Sequence, residues 1–183
     1  MMKKLLAILL AVMLTLALTG CQTETEVKQT GEQPPQQTTV KEGKKIAVVL
    51  DQIAKDGSSL VKVTVERPME ESAPQTAVNA LLAQPDNKDN SNPFAKANVK
   101  LLSLDIKKDL AIVNLSKEVL TIKGGSMQEL LLVGSIVNTL TEFKEIKQVQ
   151  ILVEGKRVET LLGHMDLSEP LDRDESIMYK QPK

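Results

Sequence analysis

The chain opens with an uncharged apolar run over residues 5–18 behind a short basic start, Met1-Met2-Lys3-Lys4. The run falls short of the about 20 residues that a membrane-spanning helix needs, and suits the apolar part of an export signal. The pattern then turns polar. Residues 22–43 carry only Val27 and Val40 as aliphatics among Gln, Thr, Glu and a Pro34-Pro35 pair. Such a stretch cannot bury enough apolar surface to offset the entropy of ordering it, so it predicts a disordered tether.

From residue 44 the pattern becomes that of a folded body. Ile46-Ala47-Val48-Val49-Leu50 is a short apolar run, consistent with a buried strand. Asp56-Gly57 marks a turn. Residues 60–66 alternate, with Val61, Val63 and Val65 on one face and Lys62, Thr64 and Glu66 on the other; Pro68 ends the strand. Ser72-Ala73-Pro74-Gln75 resembles a capping box, and the stripe Ala77, Val78, Leu81, Leu82 predicts a helix behind it. Residues 85–98 read as a polar loop. Residues 99–107 and 110–115 predict a hairpin around Lys108-Asp109, with Leu102, Leu104 and Ile106 sharing one face and Ala111, Val113 and Leu115 another.

Gly124-Gly125-Ser126-Met127-Gln128-Glu129 predicts the start of the main helix, Ser126 capping it and Glu129 closing the box. The helix is expected to run to about Lys144, with Leu132, Val133, Ile136, Val137, Leu140 and Phe143 on one face. Residues 146–154 predict a last strand, Val149, Ile151 and Val153 alternating with Gln148, Gln150 and Glu154. The order is ββαββαβ. Two helices on one face of a small mixed sheet bury both stripes, which makes the body an α+β domain over residues 44–171. Residues 172–183 read as a flexible tail.

The apolar run ends in Leu18-Thr19-Gly20-Cys21, which resembles the lipobox of bacterial lipoproteins. That resemblance implies cleavage between Gly20 and Cys21 and diacylglyceryl attachment to the Cys21 thiol. Residues 1–20 are then a signal peptide, and residues 21–43 the lipid anchor and its tether. Two or three acyl chains, palmitate among them, hold stably where one holds only marginally. The expected location is extracytoplasmic, on the cell membrane.

Composition narrows the chemistry. The 183 residues carry 23 Lys+Arg against 24 Asp+Glu, which removes the electrostatic signature of a nucleic-acid binder. Loss of a segment holding Lys3 and Lys4 leaves the mature chain mildly acidic. One Cys and one His exclude a disulfide framework, a Cys-rich metal site and a multi-His site. One Tyr, two Phe and no Trp leave little for a stacking platform. No cofactor and no metal is expected.

The single imidazole, His164, has Asp166 two residues away but no Gly-x-Ser-x-Gly elbow, so it reads as a structural turn residue. Glu70-Glu71 and Asp172, Asp174 and Glu175 read as solvated surface charge. Asp86-Asn87-Lys88-Asp89-Asn90 suggests a calcium loop until its spacing is checked. An EF-hand needs an oxygen ligand third, Gly sixth and Glu twelfth, where Lys88, Ser91 and Ala97 stand. Lys123-Gly124-Gly125-Ser126 lacks P-loop spacing and is explained by helix entry. Asn138 and Thr139 read as structural. No catalytic residue emerges.

Leu60-Val61-Lys62-Val63-Thr64, Ala80-Leu81-Leu82, residues 111–116 (AIVNLS), residues 136–143 (IVNTLTEF), residues 149–155 (VQILVEG) and residues 163–171 (GHMDLSEPL) together resemble the GerMN domain of bacterial envelope proteins, associated with sporulation and spore germination. Gln84 precedes Pro85 where the family usually has Gly, and the namesake protein has two such domains where this chain has room for one. The resemblance implies a fold similar to ring-building modules, two helices on a three-stranded sheet. It also implies an assembly or docking role toward an envelope protein partner, with no catalytic residues. A small-ligand or cell-wall-fragment binding lipoprotein is the alternative, and that reading predicts a deep pocket with convergent polar groups.

Overall fold

The computed structural model describes residues 44–180. The expected signal peptide with Gly20, the expected lipidation site Cys21 and the expected tether lie outside the described residues.

Alternation builds the first pair of strands. β1 (Lys45–Ala54) and β2 (Leu60–Pro68) pair antiparallel without a slip from Lys45↔Pro68 to Ile53↔Leu60. The turn between them uses Gly57 at φ +69, a conformation that glycine adopts at no steric cost. β1 is longer than its apolar run suggests, and its extension buries Asp51 and Gln52. In α1 (Ala73–Ala83), Ser72 Oγ accepts the Gln75 N–H at 3.2 Å, and Ala77, Val78, Leu81 and Leu82 are buried as their spacing predicts.

Residues 85–98 are not a plain loop. They contain β3 (Asn90–Ser91), which pairs with the end of β1, and the short α2 (Pro93–Ala97). Asn92 caps α2 by accepting from the Phe94 and Ala95 N–H groups, and Phe94 is among the largest fully buried side chains. One aromatic in a polar stretch carries no periodicity, so the pattern misses it.

β4 (Leu101–Lys107) and β5 (Leu110–Leu115) form the expected hairpin, with Lys108 at φ +59 in its turn. Ala111, Val113 and Leu115 are buried. The stripe on β4 is not: Leu102 is 47 % and Ile106 40 % exposed, because β4 is the edge of its sheet and carries an irregularity between Leu101 and Ser103. A 3-10 turn (Lys117–Thr121) leads to α3 (Ser126–Thr141). Gly125 holds the cap position, Ser126 lies inside the helix, and no side chain caps it, so the predicted Ser126–Glu129 box does not form. The helix also stops short of Lys144. β6 (Gln148–Val153) lies parallel to β5 and turns through Glu154 and Gly155, both at positive φ, into β7 (Lys156–Arg157). β8 (Leu171–Asp172) pairs with β6.

The long elements keep the ββαββαβ order of an α+β domain, but their strands fall in two sheets. One runs β2-β1-β3; the other is mixed and runs β4-β5-β6-β7, with β8 also on β6. The helices join them: α1 and α3 touch each other and β1, α3 also meets β6, and α1 meets β4. A helix blocks the merger of the sheets. Thr139 Oγ1 on α3 accepts the Asp51 N–H at 2.9 Å, so a bond that a neighbouring strand would take is taken by a side chain. Leu50, Leu132, Ile136, Leu140, Val113 and Ile151 lie in the shared aliphatic core.

Residues 172–180 are not a loose tail. Ile177 is buried, Leu60 and Met178 form a parallel bridge, and the Tyr179 N–H donates to the Leu60 carbonyl at 2.7 Å. Gln150, placed by alternation on a polar face, is buried and donates through Nε2 to the Leu167 carbonyl at 3.0 Å. Both departures have one cause: the chain after β7 folds back across the domain and covers what the strands left open.

Candidate functional site

Three places gather polar groups: the loop after β7, the covering over Asp51 and a groove before α3.

The loop is organised by Glu129. This residue sits in the first turn of α3 with no solvent exposure. Its Oε1 accepts from the N–H groups of Leu161 at 2.7 Å and Leu162 at 2.8 Å; Oε2 accepts from His164 at 2.6 Å and Met165 at 3.2 Å. Gly163, between the two donor pairs, turns the chain at φ +96. Burial pushes the Glu129 carboxyl up, and the four backbone donors outweigh it and hold it below the usual carboxylate value. A concavity of backbone N–H groups is an anion site, and here the chain supplies its own anion. The loop then packs Leu161 and Leu167 into the core.

His164 and Asp166 lie on this loop, both exposed. The His164 backbone is engaged, but its ring makes no hydrogen bond among the described residues. Asp166 Oδ1 accepts the Ser168 N–H at 2.9 Å, a turn bond that also holds its carboxyl below the usual range. With Glu159 and Ser168 they line a shallow hollow of about 330 Å³.

Asp51 is the second centre. Its carboxylate is fully buried and accepts no hydrogen bond, while Lys62 lies 3.8 Å away and Arg173 3.7 Å. Burial pushes its carboxyl up to about 6 against the pull of those cations. Arg173 is the keystone. It donates to the Asn138 carbonyl at 2.7 Å and to Thr141 Oγ1 at 3.2 Å, meets Glu142 at 2.7 Å and binds Glu175. Asn138 and Thr139 act within the fold, as their types suggested: Asn138 through Asp174, Thr139 through the Asp51 N–H.

The remaining candidates are local. Asp86 accepts from the Asn92 N–H at 2.6 Å and meets Lys96 at 2.8 Å and Lys55 at 3.3 Å. The Lys96 ammonium, followed by that N–H, holds its carboxyl down at about 2. Asn87 Oδ1 accepts from Asp89 and Asn90, both at 2.8 Å, so residues 86–90 close on themselves. Glu70 accepts from Asn79, Asp172 from Gln148, and Asp174 from Ser176. Lys123, Lys96, Thr121 and Gln128 line an open groove of about 440 Å³. Gly124 has no room for a side chain there, since a Cβ would lie 2.4 Å from Gln128 Cγ. Among the described residues no three His, Cys, Asp or Glu converge on a metal position, and no helix is long and apolar enough to cross a membrane.

Sequence reasoning missed Asp51, Arg173 and the buried role of Glu129. An acid inside the run Val48-Val49-Leu50-Asp51-Gln52-Ile53 was a signal for the first. For Arg173 the sequence held none, because apart from the neighbouring Glu175 its partners come from two distant elements, β1 and the end of α3.

The family described as Germane, sporulation and spore germination, matches residues 23–159. A Clostridium perfringens protein, provisionally described as a lipoprotein, has a crystal structure similar to this one at 30 % identity and TM-score 0.50, covering 70 % of this chain and 86 % of that one. The first GerMN domain of the sporulation protein GerM from Bacillus subtilis is similar at 24 % identity and TM-score 0.57, covering 70 % of this chain and 98 % of that domain. The tandem GerMN domains of the same protein are similar at 23 % identity and TM-score 0.57, with 70 % of this chain and 46 % of that one covered. At those identities the GerM likenesses speak for fold. No curated protein matches the chain.

Proposed function

The chain belongs to the Germane family of sporulation and spore germination, and from that premise we propose that it is a lipid-anchored, extracytoplasmic binding module that serves envelope assembly, sporulation or germination without catalysis. One observation carries the reading. The family match, over residues 23–159, begins two residues behind the lipobox-like Leu18-Thr19-Gly20-Cys21 and spans the polar stretch and most of the body, an order that supports reading the body as a binding domain on a membrane leash. The provisional lipoprotein description of the Clostridium perfringens relative supports the same order.

The internal arrangement favours docking over chemistry. The buried carboxylates, Glu129 and Asp51, are committed to holding the fold's own segments. The cavity behind Leu81 and Phe94 holds only about 10 Å³, which suits no ligand. The larger concavities are open surface, so a small-ligand role has less to rest on than a macromolecular one.

Radiolabelled palmitate and membrane fractionation test the anchor. The wild-type chain takes up label and sediments with membranes; Cys21→Ala takes up none. Labelling of Cys21→Ala at the wild-type level would overturn the lipobox. Deletion in a spore-forming host tests the role: unchanged sporulation, germination and envelope integrity would sink it.

A further inference from the structure

The edge of a sheet is a row of unpaired N–H and C=O groups, and folded chains close or blunt such rows. Most edges of this domain are dealt with. β3, β7 and β8 have two residues each. β2 carries Lys62, Glu66 and Arg67, ends at Pro68 and has its start joined to residues 177–179. The side of β1 away from β2 gives its Asp51 N–H to Thr139. β4 is different. It is seven residues long, stands at one end of the mixed sheet and, among the described residues, pairs with β5 alone. Its irregularity lies at the start, between Leu101 and Ser103, and leaves residues 104–107 in unbroken register with β5.

Asp105, Ile106 and Lys107 on this regular part are all exposed. Across the sheet Asp105 faces Ile112 and Lys107 faces Leu110, so β5 gives neither charge a partner. Neither makes an ion pair with any other described residue. The triplet is self-complementary. Opposite residues of an antiparallel pair share a face. With Ile106 laid opposite Ile106 of an antiparallel copy, Asp105 meets the second copy's Lys107, and Lys107 meets its Asp105. Both charge pairs fall on one face and the two isoleucines on the other. A ladder centred on Leu104 sets Asp105 against Ser103 and leaves the charges unmatched. Centred on Asp105 or on Lys107, it sets like charges opposite each other, which destabilises a pair of strands.

We propose that β4 pairs with β4 of a second copy of this chain, antiparallel and centred on Ile106, and that two crossed Asp105–Lys107 pairs fix the register. Main-chain hydrogen bonds along the open edge hold the copies, and the charges select the alignment. The contact is the same patch on both copies, so it closes at two and joins their mixed sheets into one. The paired stretch is residues 105–107, and Leu102 stays outside it. This deepens the binding role proposed above by naming a partner, and rests on that reading only in taking the chain's task to be binding. Its test reads self-pairing alone, whereas palmitate labelling reads the anchor, so the two failures are told apart.

The experiment is disulfide trapping of the full chain, with copper phenanthroline as oxidant, in freshly opened cells that make it. Opposite Cα atoms in an antiparallel ladder lie about 4.5–5.5 Å apart, within disulfide reach. Ile106→Cys is expected to give a dimer band roughly fivefold stronger than wild type, whose single Cys21 sets the background, or than Ser58→Cys at an exposed turn. On the Ile106→Cys background, Asp105→Lys and Lys107→Asp are each expected to weaken the band roughly threefold, because like charges then face each other. Cells making both of these variants together are expected to recover it, since each charge again meets its opposite in the other copy. Should one reversal fail to fold by circular dichroism, the other carries the comparison, and Asp105→Lys with Lys107→Asp in one chain is expected to keep the full band. No band above background from Ile106→Cys overturns the proposal. So does a band indifferent to charge reversal, or a cross-linked product whose mass shows a different protein on β4.

Discussion

The carboxylate of Glu129 accepts the backbone N–H of His164 at 2.6 Å across 35 positions of sequence. That bond and its three companions convert a stretch without regular structure into a fixed part of the domain. Replacing the acid leaves buried donors without an anion. Glu129→Gln is expected to cost about 3 kcal/mol, since hydrogen bonds to a charged group are the strong ones and unmade buried donors carry the full desolvation penalty. Urea unfolding reads the loss, and hydrogen exchange at residues 161–165 shows where it falls. A stability change under about 0.5 kcal/mol would count against the role.

Asp51 and Glu129 respond to pH with opposite signs. The Asp51 carboxyl titrates near 6 in the fold against 3.8 unfolded, so its proton is held more tightly in the folded state. Its contribution to stability is complete below pH 3.8 and is lost as pH rises through about 6. At 1.36 kcal/mol per unit the whole effect is about 3 kcal/mol. Asp51→Asn is expected to remove this slope. For Glu129 the folded value is depressed, so its contribution is present above the unfolded value of 4.5 and is lost as pH falls through the folded one. Unfolding curves of wild type and both variants between pH 3 and 8 separate the two terms. A wild type and an Asp51→Asn variant with parallel profiles from pH 4 to 7 would show that Asp51 does not titrate as described.

Thr139 tests the separation of the sheets. Thr139→Val keeps the volume and removes the acceptor of the Asp51 N–H. The loss is expected to be about 1–2 kcal/mol, the penalty for one unpaired buried donor. A hydrogen-exchange comparison should show faster exchange at Asp51 than at the next β1 amides.

Depth in the core sets the cost of apolar truncation. Leu132 is fully buried on α3, and Leu132→Ala is expected to cost about 3–4 kcal/mol. Leu102→Ala removes the same atoms from the open edge strand β4 and is expected to cost under about 1 kcal/mol. Equal costs at the two sites, read by chemical denaturation, would mean that β4 is covered in solution.

Much of this was legible without coordinates. Val61, Val63 and Val65 follow a period of two and are half-buried where Lys62, Thr64 and Glu66 are exposed; Ala77, Val78, Leu81 and Leu82 of α1 and Leu132, Val133, Ile136, Val137 and Leu140 of α3 follow a helical period and are buried. Ser72 caps α1 as its position before Ala73-Pro74-Gln75 predicts. Periodicity failed where one residue decides a contact. Phe94 anchors a segment otherwise too polar to read as core. Glu129 fits a capping box by spacing, but its carboxylate is taken by a loop more than thirty residues later. Leu104 and its neighbours on β4 show the pattern of an inner face, yet how much of that face is covered depends on how far the helices reach.

The sequence by itself determined the local order of the body: which residues form long strands and helices, which faces of α1, α3, β2 and β5 turn inward, and that its core is aliphatic. These follow from side-chain period and turn chemistry, which act over a few residues. Only the tertiary structure decided that the strands divide into two sheets, that Glu129 and Asp51 are buried, and that the chain after Pro170 folds back onto α3. Each depends on partners brought together from distant positions: Thr139 with Asp51, Glu129 with His164, Arg173 with Asn138. A carboxylate has the same local signature on a surface and in a nest of N–H groups, and only the closed chain distinguishes them.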